Sequence, residues 1–179
     1  MTAYALLGAI VVVSVWVGFA YNRLVRHAAL VREGWSGIDV QLERRHDLVP
    51  NLVVVVQSYA KHERELLTDV ARTRAGKPTA ELEARENALT SQLRGVLALV
   101  EAYPALRADT NFLTLQQQLV DIEEQLQMAR RYYNGTVRDN NVAVESFPSN
   151  LVARAFGFGA QPFFQVESAT MRDVPSVTL

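Results

Sequence analysis

No cysteine occurs in the 179 residues. That excludes disulfides, thiolate metal sites, a cysteine nucleophile and lipid attachment through sulfur. An excess of either charge is also missing: 18 lysines and arginines face 19 aspartates and glutamates, for a net charge of −1. A chain so balanced has no electrostatic footprint for a phosphate backbone, so no nucleic acid is expected as a partner. Proline, at six, and glycine, at nine, are few and fall at a handful of punctuation points. Long helices are therefore open to the chain, and its length suffices for one domain with a real core.

The even spread of charge has one gap. From Ala3 to Tyr21, AYALLGAIVVVSVWVGFAY, no side chain is charged. That is about the length needed to cross a hydrocarbon layer near 30 Å. Tyr4 at one end and Trp16 and Tyr21 at the other suit the aromatic preference for bilayer interfaces. A cleaved signal peptide is the rival reading, but the start has no basic side chain, the apolar run is long, and no A-x-A pattern follows. Residues 1–21 are thus expected to be a transmembrane anchor. Arg23, Arg26 and Arg32 follow the span, and the α-amine is the one cation before it, so the rest of the chain is expected in the cytoplasm.

Four apolar stripes follow, each stepping by three and four. The first is Leu24, Ala28, Val31, Trp35, Ile38 and Leu42. The second is Leu52, Val56, Tyr59, Glu63, Leu66 and Val70. Leu82, Glu86, Leu89, Leu93, Val96, Val100 and Tyr103 form the third. Phe112, Leu115, Leu119, Ile122, Leu126, Ala129 and Tyr133 form the fourth. This spacing keeps one helical face toward a partner, and its mean near 3.5 predicts long helices crossing at shallow angles.

Break signals separate the stripes. Asp47 can cap a new helix with Pro50 in its first turn. Gly76, Lys77 and Pro78 interrupt the second helix, and Thr79 can cap the third. Pro104 ends or kinks the third, and Asn111 offers a start for the fourth, which runs to about Ser146. Nothing between Ala20 and Trp35 forbids helix, so the anchor can pass straight into the first bundle helix. After Pro148, SNLVARAF reads as a short helix and the remainder as extended chain. The fold class expected is all-α: a transmembrane helix, an antiparallel four-helix bundle over residues 22–147, and a short helix and tail over 148–179.

Several stretches together resemble the LemA family of bacterial membrane proteins. They are YNRLV at Tyr21, WSGIDVQLERRHDLVPNL at Trp35, YAKHE at Tyr59, AYPALRADTNFLTLQQQLVDIEEQLQMARRYYNGTV, NNVAVESFP and GFGAQPFF. They occur in the family's order and cover most of the chain beyond the anchor. The segment GKPTAELEAREN carries no pattern diagnostic of the family. The resemblance implies an N-terminal anchor in the bacterial inner membrane and an antiparallel helical bundle. It implies no enzymatic activity.

The candidate chemistry is thin. Glu43 and His46 form an E-x-x-H pair, a unit that builds dinuclear sites in some bundles when it occurs twice with two further glutamates. Here it occurs once, and His27 and His62 lack the preceding glutamate. A simpler account fits the order of charges. Arg44, Arg45 and His46 offset the negative end of one helix, Asp47 suits the positive start of the next, and Pro50 follows, so a charged helical corner is expected. His62–Glu65, HERE, is not a zinc-protease motif, and Gly157–Ala160, GFGA, lacks the lysine of a phosphate loop. No catalytic set, metal site or cofactor site is expected.

Two groups remain. Asn111, Arg130, Tyr133, Asn134 and Asn141 place polar atoms along a helical seam. Such a network fixes register when satisfied, and otherwise offers contacts to a partner's peptide. Phe156, Phe158, Phe163 and Phe164 crowd the C-terminal segment. They either cap the bundle or meet another subunit or the membrane surface. Phe163–Leu179 is expected to add as a strand to a neighbouring chain. The function expected is a membrane-anchored helical scaffold that self-associates and recruits other proteins. A metal-dependent enzyme near Glu43 and His46, or an adaptor for a membrane protease or envelope-stress system, is the alternative.

Overall fold

The computed structural model describes residues 1–59 and 80–164. All regular structure among them is helical: α1 (Thr2–Tyr59), α2 (Ala80–Val100), α3 (Pro104–Arg107), α4 (Thr110–Glu145) and α5 (Ser149–Phe156). Glu63, Leu66 and Val70 of the second stripe, His62, the break at Gly76–Pro78, the Thr79 cap and the tail beyond Phe164 lie outside the described residues.

The first helix departs from expectation. Anchor and first stripe are one helix, as the uninterrupted sequence allows, but the helix also runs through the corner expected at Arg44, Arg45, Asp47 and Pro50. Pro50 sits inside it. A proline there leaves the carbonyl four residues earlier without its helical partner. Pro50 is exposed, so water can satisfy that carbonyl, while Leu48, Val49, Leu52, Val53 and Val56 on the other side are buried. Packing of that face outweighs one lost hydrogen bond.

Contacts divide the chain into two compact units that do not follow chain order. One comprises Met1–Gln41 and Glu123–Phe163; the other comprises Leu42–Ile122 with Phe164. In the second unit the core is made by Leu48, Val49, Leu52, Val53 and Val56 of α1, Leu89, Leu93, Val96 and Val100 of α2, Leu106 of α3, and Phe112 and Leu119 of α4. Every described member of the third stripe is buried except Tyr103, which is half-buried. Asp109 starts α4: its Oδ1 accepts the Phe112 N–H at 2.9 Å, satisfying one of the free donors of the first turn.

In the first unit Leu24, Ala143, Val152 and Ala153 form a small core, with Val17, Ala20, Val144 and Phe158 packed on it. Glycine sets the approach of α1 to α4. A Cβ on Gly34 would lie 3.1 Å from Tyr133 Cα and 3.2 Å from Thr136 Oγ1. Beside it the Trp35 ring meets Tyr133 edge to face at 5.6 Å. Ser149 Oγ lies 2.7 Å from Ala143 O and 2.9 Å from Ser146 O, covering carbonyls at the end of α4. Gly157 ends α5 at φ 76°, a left-handed conformation natural to glycine, and Phe158 N–H bonds back to Ala153 O.

Candidate functional site

Two polar constellations stand out, one in each unit. In the second unit Arg45 and Glu86 are both fully buried. Arg45 Nη1 lies 3.3 Å from Glu86 Oε2, and Arg45 Nη2 donates to Thr90 Oγ1 at 2.8 Å. Thr90 in turn bonds to Glu86 O at 2.9 Å, which is one helical turn back. The other carboxylate oxygen, Glu86 Oε1, lies 3.0 Å from His46 Nε2. Consecutive residues of α1 thus grip one carboxylate of α2. Both its oxygens are engaged away from water, which suits a pin between two helices.

The expected residues are distributed around this pin. Arg45 is its cation; Arg44, Asp47 and Pro50 are exposed. Arg44 and Asp47 line an open hollow of about 370 Å³ with Asn51, Gln118 and Asp121. Glu43 is exposed, whereas His46 is turned to Glu86. Among the described residues no three histidine, aspartate or glutamate side chains gather as metal ligands. Glu86 carried a signal in the sequence: it is a carboxylate at an apolar stripe position, and such a group must find a buried partner.

A second polar pair flanks the start of α4. Tyr59 Oη donates to Asp109 Oδ2 at 2.9 Å. The Phe112 N–H and the Tyr59 hydroxyl together hold the Asp109 carboxyl below its usual range, against the opposing effect of burial. The same bond, and the negative charge behind it, push the Tyr59 hydroxyl up.

In the first unit the polar residues of α4 hold the chain's own C-terminal segment. Tyr133 Oη donates to Pro162 O at 3.0 Å. Asn141 Nδ2 donates to Gln161 O at 2.9 Å, and Gln161 N–H returns a bond to Asn141 Oδ1 at 2.8 Å. One side-chain amide therefore pairs with a residue as a neighbouring strand would. Asn140, 2% exposed, adds a donor to Gly159 O at 3.3 Å. The adjacent asparagines of this helix, and not Asn141 alone, form the clasp. Arg130 is buried and Asn134 half-buried, while Asn111 lies exposed in the first turn of α4. Of the phenylalanines, Phe158 packs on the small core and Phe164 is buried, while Phe156 and Phe163 remain exposed.

Helices, buried polar pins and an apolar helical start of spanning length with no fully buried residue define a membrane-associated helical protein. The chain belongs to the LemA family, which it matches over residues 34–179. Among curated proteins it is similar to magnetosome protein MamQ 2 of Paramagnetospirillum magneticum, at 24% identity over 88% of this chain and 68% of that protein. It is equally similar to magnetosome protein MamQ of Magnetospirillum gryphiswaldense, at 24% identity over 90% of this chain and 72% of the relative.

Proposed function

We propose that this protein is a non-catalytic scaffold, anchored by a single span in the bacterial cytoplasmic membrane, with its helices in the cytosol. The observation that carries the reading is α1 itself: an unburied apolar segment of spanning length continues without interruption into the stripes of the core. Such a helix couples the bilayer mechanically to the packed part of the chain. Arg23, Arg26 and Arg32 directly after the span support the cytosolic placement.

The packed part is an antiparallel helical bundle in this reading, with the first stripe and the described members of the second sharing α1. Support comes from the pairing of α1 and α4 within one unit: Gly34 approaches Tyr133, and Gly37, further along α1, approaches Ala129, further back along α4. Copies of the bundle associate in coiled-coil fashion through apolar side chains left in the open. On α4, Leu113 and Val120 lie seven residues apart and are both about half exposed; Phe163 is 45% exposed. Recruitment of other membrane proteins follows the same logic, and the likeness to magnetosome proteins fits a membrane-associated role.

The test is the mass of the full chain in mild detergent. A particle larger than a monomer that falls to monomer on Leu113→Glu with Val120→Glu is expected. A clean monomer before substitution sinks the scaffold reading.

A further inference from the structure

We infer that the α4–α5 turn and α5 form an amphipathic foot, which enters the headgroup layer of the same membrane beside the anchor. The inference rests on the reading that the start of α1 lies in the bilayer. The first unit contains every residue involved.

The placement comes from α1. Tyr21 closes the apolar run, and its ring meets Phe156 at 4.9 Å and Phe158 at 5.7 Å, both edge to face. The C-terminal end of α5 is therefore level with the point where the anchor leaves the hydrocarbon. Phe147 and Pro148 reach further. With Val142 they line a hollow of about 310 Å³ whose other wall is Trp16, Phe19 and Arg23. Trp16 lies five residues inside Tyr21, about 7 Å deeper at the rise of an α-helix. A segment that packs beside Trp16 cannot remain above a membrane that covers Trp16.

The side chains fit that depth. Phe147 is 80% exposed, and Leu151 and Phe156 are each more than half exposed, while Val152 and Ala153 of α5 are buried in the unit. Phe147 lies in the turn before α5 and Leu151 in the first turn of that helix, and both are exposed. No described part of the protein covers them, whereas acyl chains would. The cations lie where phosphates would be: Arg23 and Arg26, just past the span, and Arg154 on α5 are all exposed. Apolar rings below and arginines above match an anionic phospholipid surface. The hollow itself has room for the upper part of one acyl chain, with Arg23 beside its headgroup.

Since the chain has no cysteine, single labels can be placed without background. Nitroxides at Phe147→Cys and Leu151→Cys, at Val12→Cys in the span and at Asp139→Cys on an exposed position, would be compared. The full chain would be reconstituted in phosphatidylcholine–phosphatidylglycerol vesicles, and collisions with oxygen and with a water-soluble nickel chelate measured. Labels at 147 and 151 are expected to favour oxygen over nickel, at depths between those of Val12 and Asp139. If they match Asp139 while Val12 reads as hydrocarbon, the foot is refuted and the anchor survives. If they are shielded from both colliders, another protein copy covers them and the foot is likewise refuted. If Val12 itself reads as water, anchoring fails and the foot with it.

Discussion

Arg45 and Glu86, 41 positions apart in the chain, meet at 3.3 Å with neither side chain reachable by water. Burying two charges is costly, and their attraction offsets the cost only because Thr90 and His46 satisfy further atoms of the pair. The cluster fixes which turn of α1 faces which turn of α2. Apolar stripes alone specify that register weakly, because leucine and valine pack nearly as well one turn out of place.

Glu86→Ala leaves the Arg45 charge buried and is expected to destabilise the fold by about 3–5 kcal/mol. The double replacement Arg45→Met with Glu86→Leu removes both charges and fills the space, and should restore most of that loss. Urea unfolding of the two variants in detergent checks this. Equal losses would mean the pair is not coupled.

Gly34 and Gly135 should respond oppositely to alanine. A methyl group on Gly34 meets the backbone of Tyr133 at 3.1 Å, which cannot yield as a side-chain tip would, so Gly34→Ala should cost about 1–3 kcal/mol. Around Gly135 no such atom lies within 4 Å. Gly135→Ala there should gain about 0.5–1 kcal/mol through helix propensity and a less free unfolded chain. Thermal unfolding of both variants decides the matter; a gain at Gly34 would show that the two helices separate easily.

The Tyr59–Asp109 bond predicts two limbs of a pH profile. The Asp109 carboxyl is held below its ordinary value of 3.8, so its contribution is complete above that value and is lost as pH falls below it. The Tyr59 hydroxyl is pushed above 10.0, so its contribution is complete below that value and is lost as pH rises through the folded-state value. Asp109→Asn should flatten the acid limb, since the amide oxygen still accepts the Phe112 N–H but no longer titrates. Tyr59→Phe should flatten the alkaline limb. Stability would be followed by fluorescence across both ranges, and unchanged limbs would contradict the assignment.

Asn141→Ala removes both bonds to Gln161 and should cost about 1–3 kcal/mol. The more specific readout is hydrogen exchange. The Gln161 amide should exchange faster while amides in the middle of α4 keep their protection. Uniform acceleration would indicate global destabilisation instead of release of the clasp.

The sequence by itself determined which faces are apolar. Leu24, Val31, Ile38 and Leu42 in the first stripe, and Leu82 through Val100 in the third, are buried as their spacing requires. It also determined the uncharged run of spanning length and the short helix after Pro148, since hydropathy and helix stops are local properties. Partners were a different matter. Asp47 and Pro50 look like a helix start when read locally, yet α1 continues because Leu48, Val49, Leu52, Val53 and Val56 bury against residues far along the chain. Only the tertiary structure decided that Arg45 turns inward to Glu86, and that Asn140 and Asn141 clasp Gly159 and Gln161. A periodicity states that a face must be covered. The identity of the cover depends on atoms brought close by folding, and charged or amide groups have several acceptable partners until burial leaves them one.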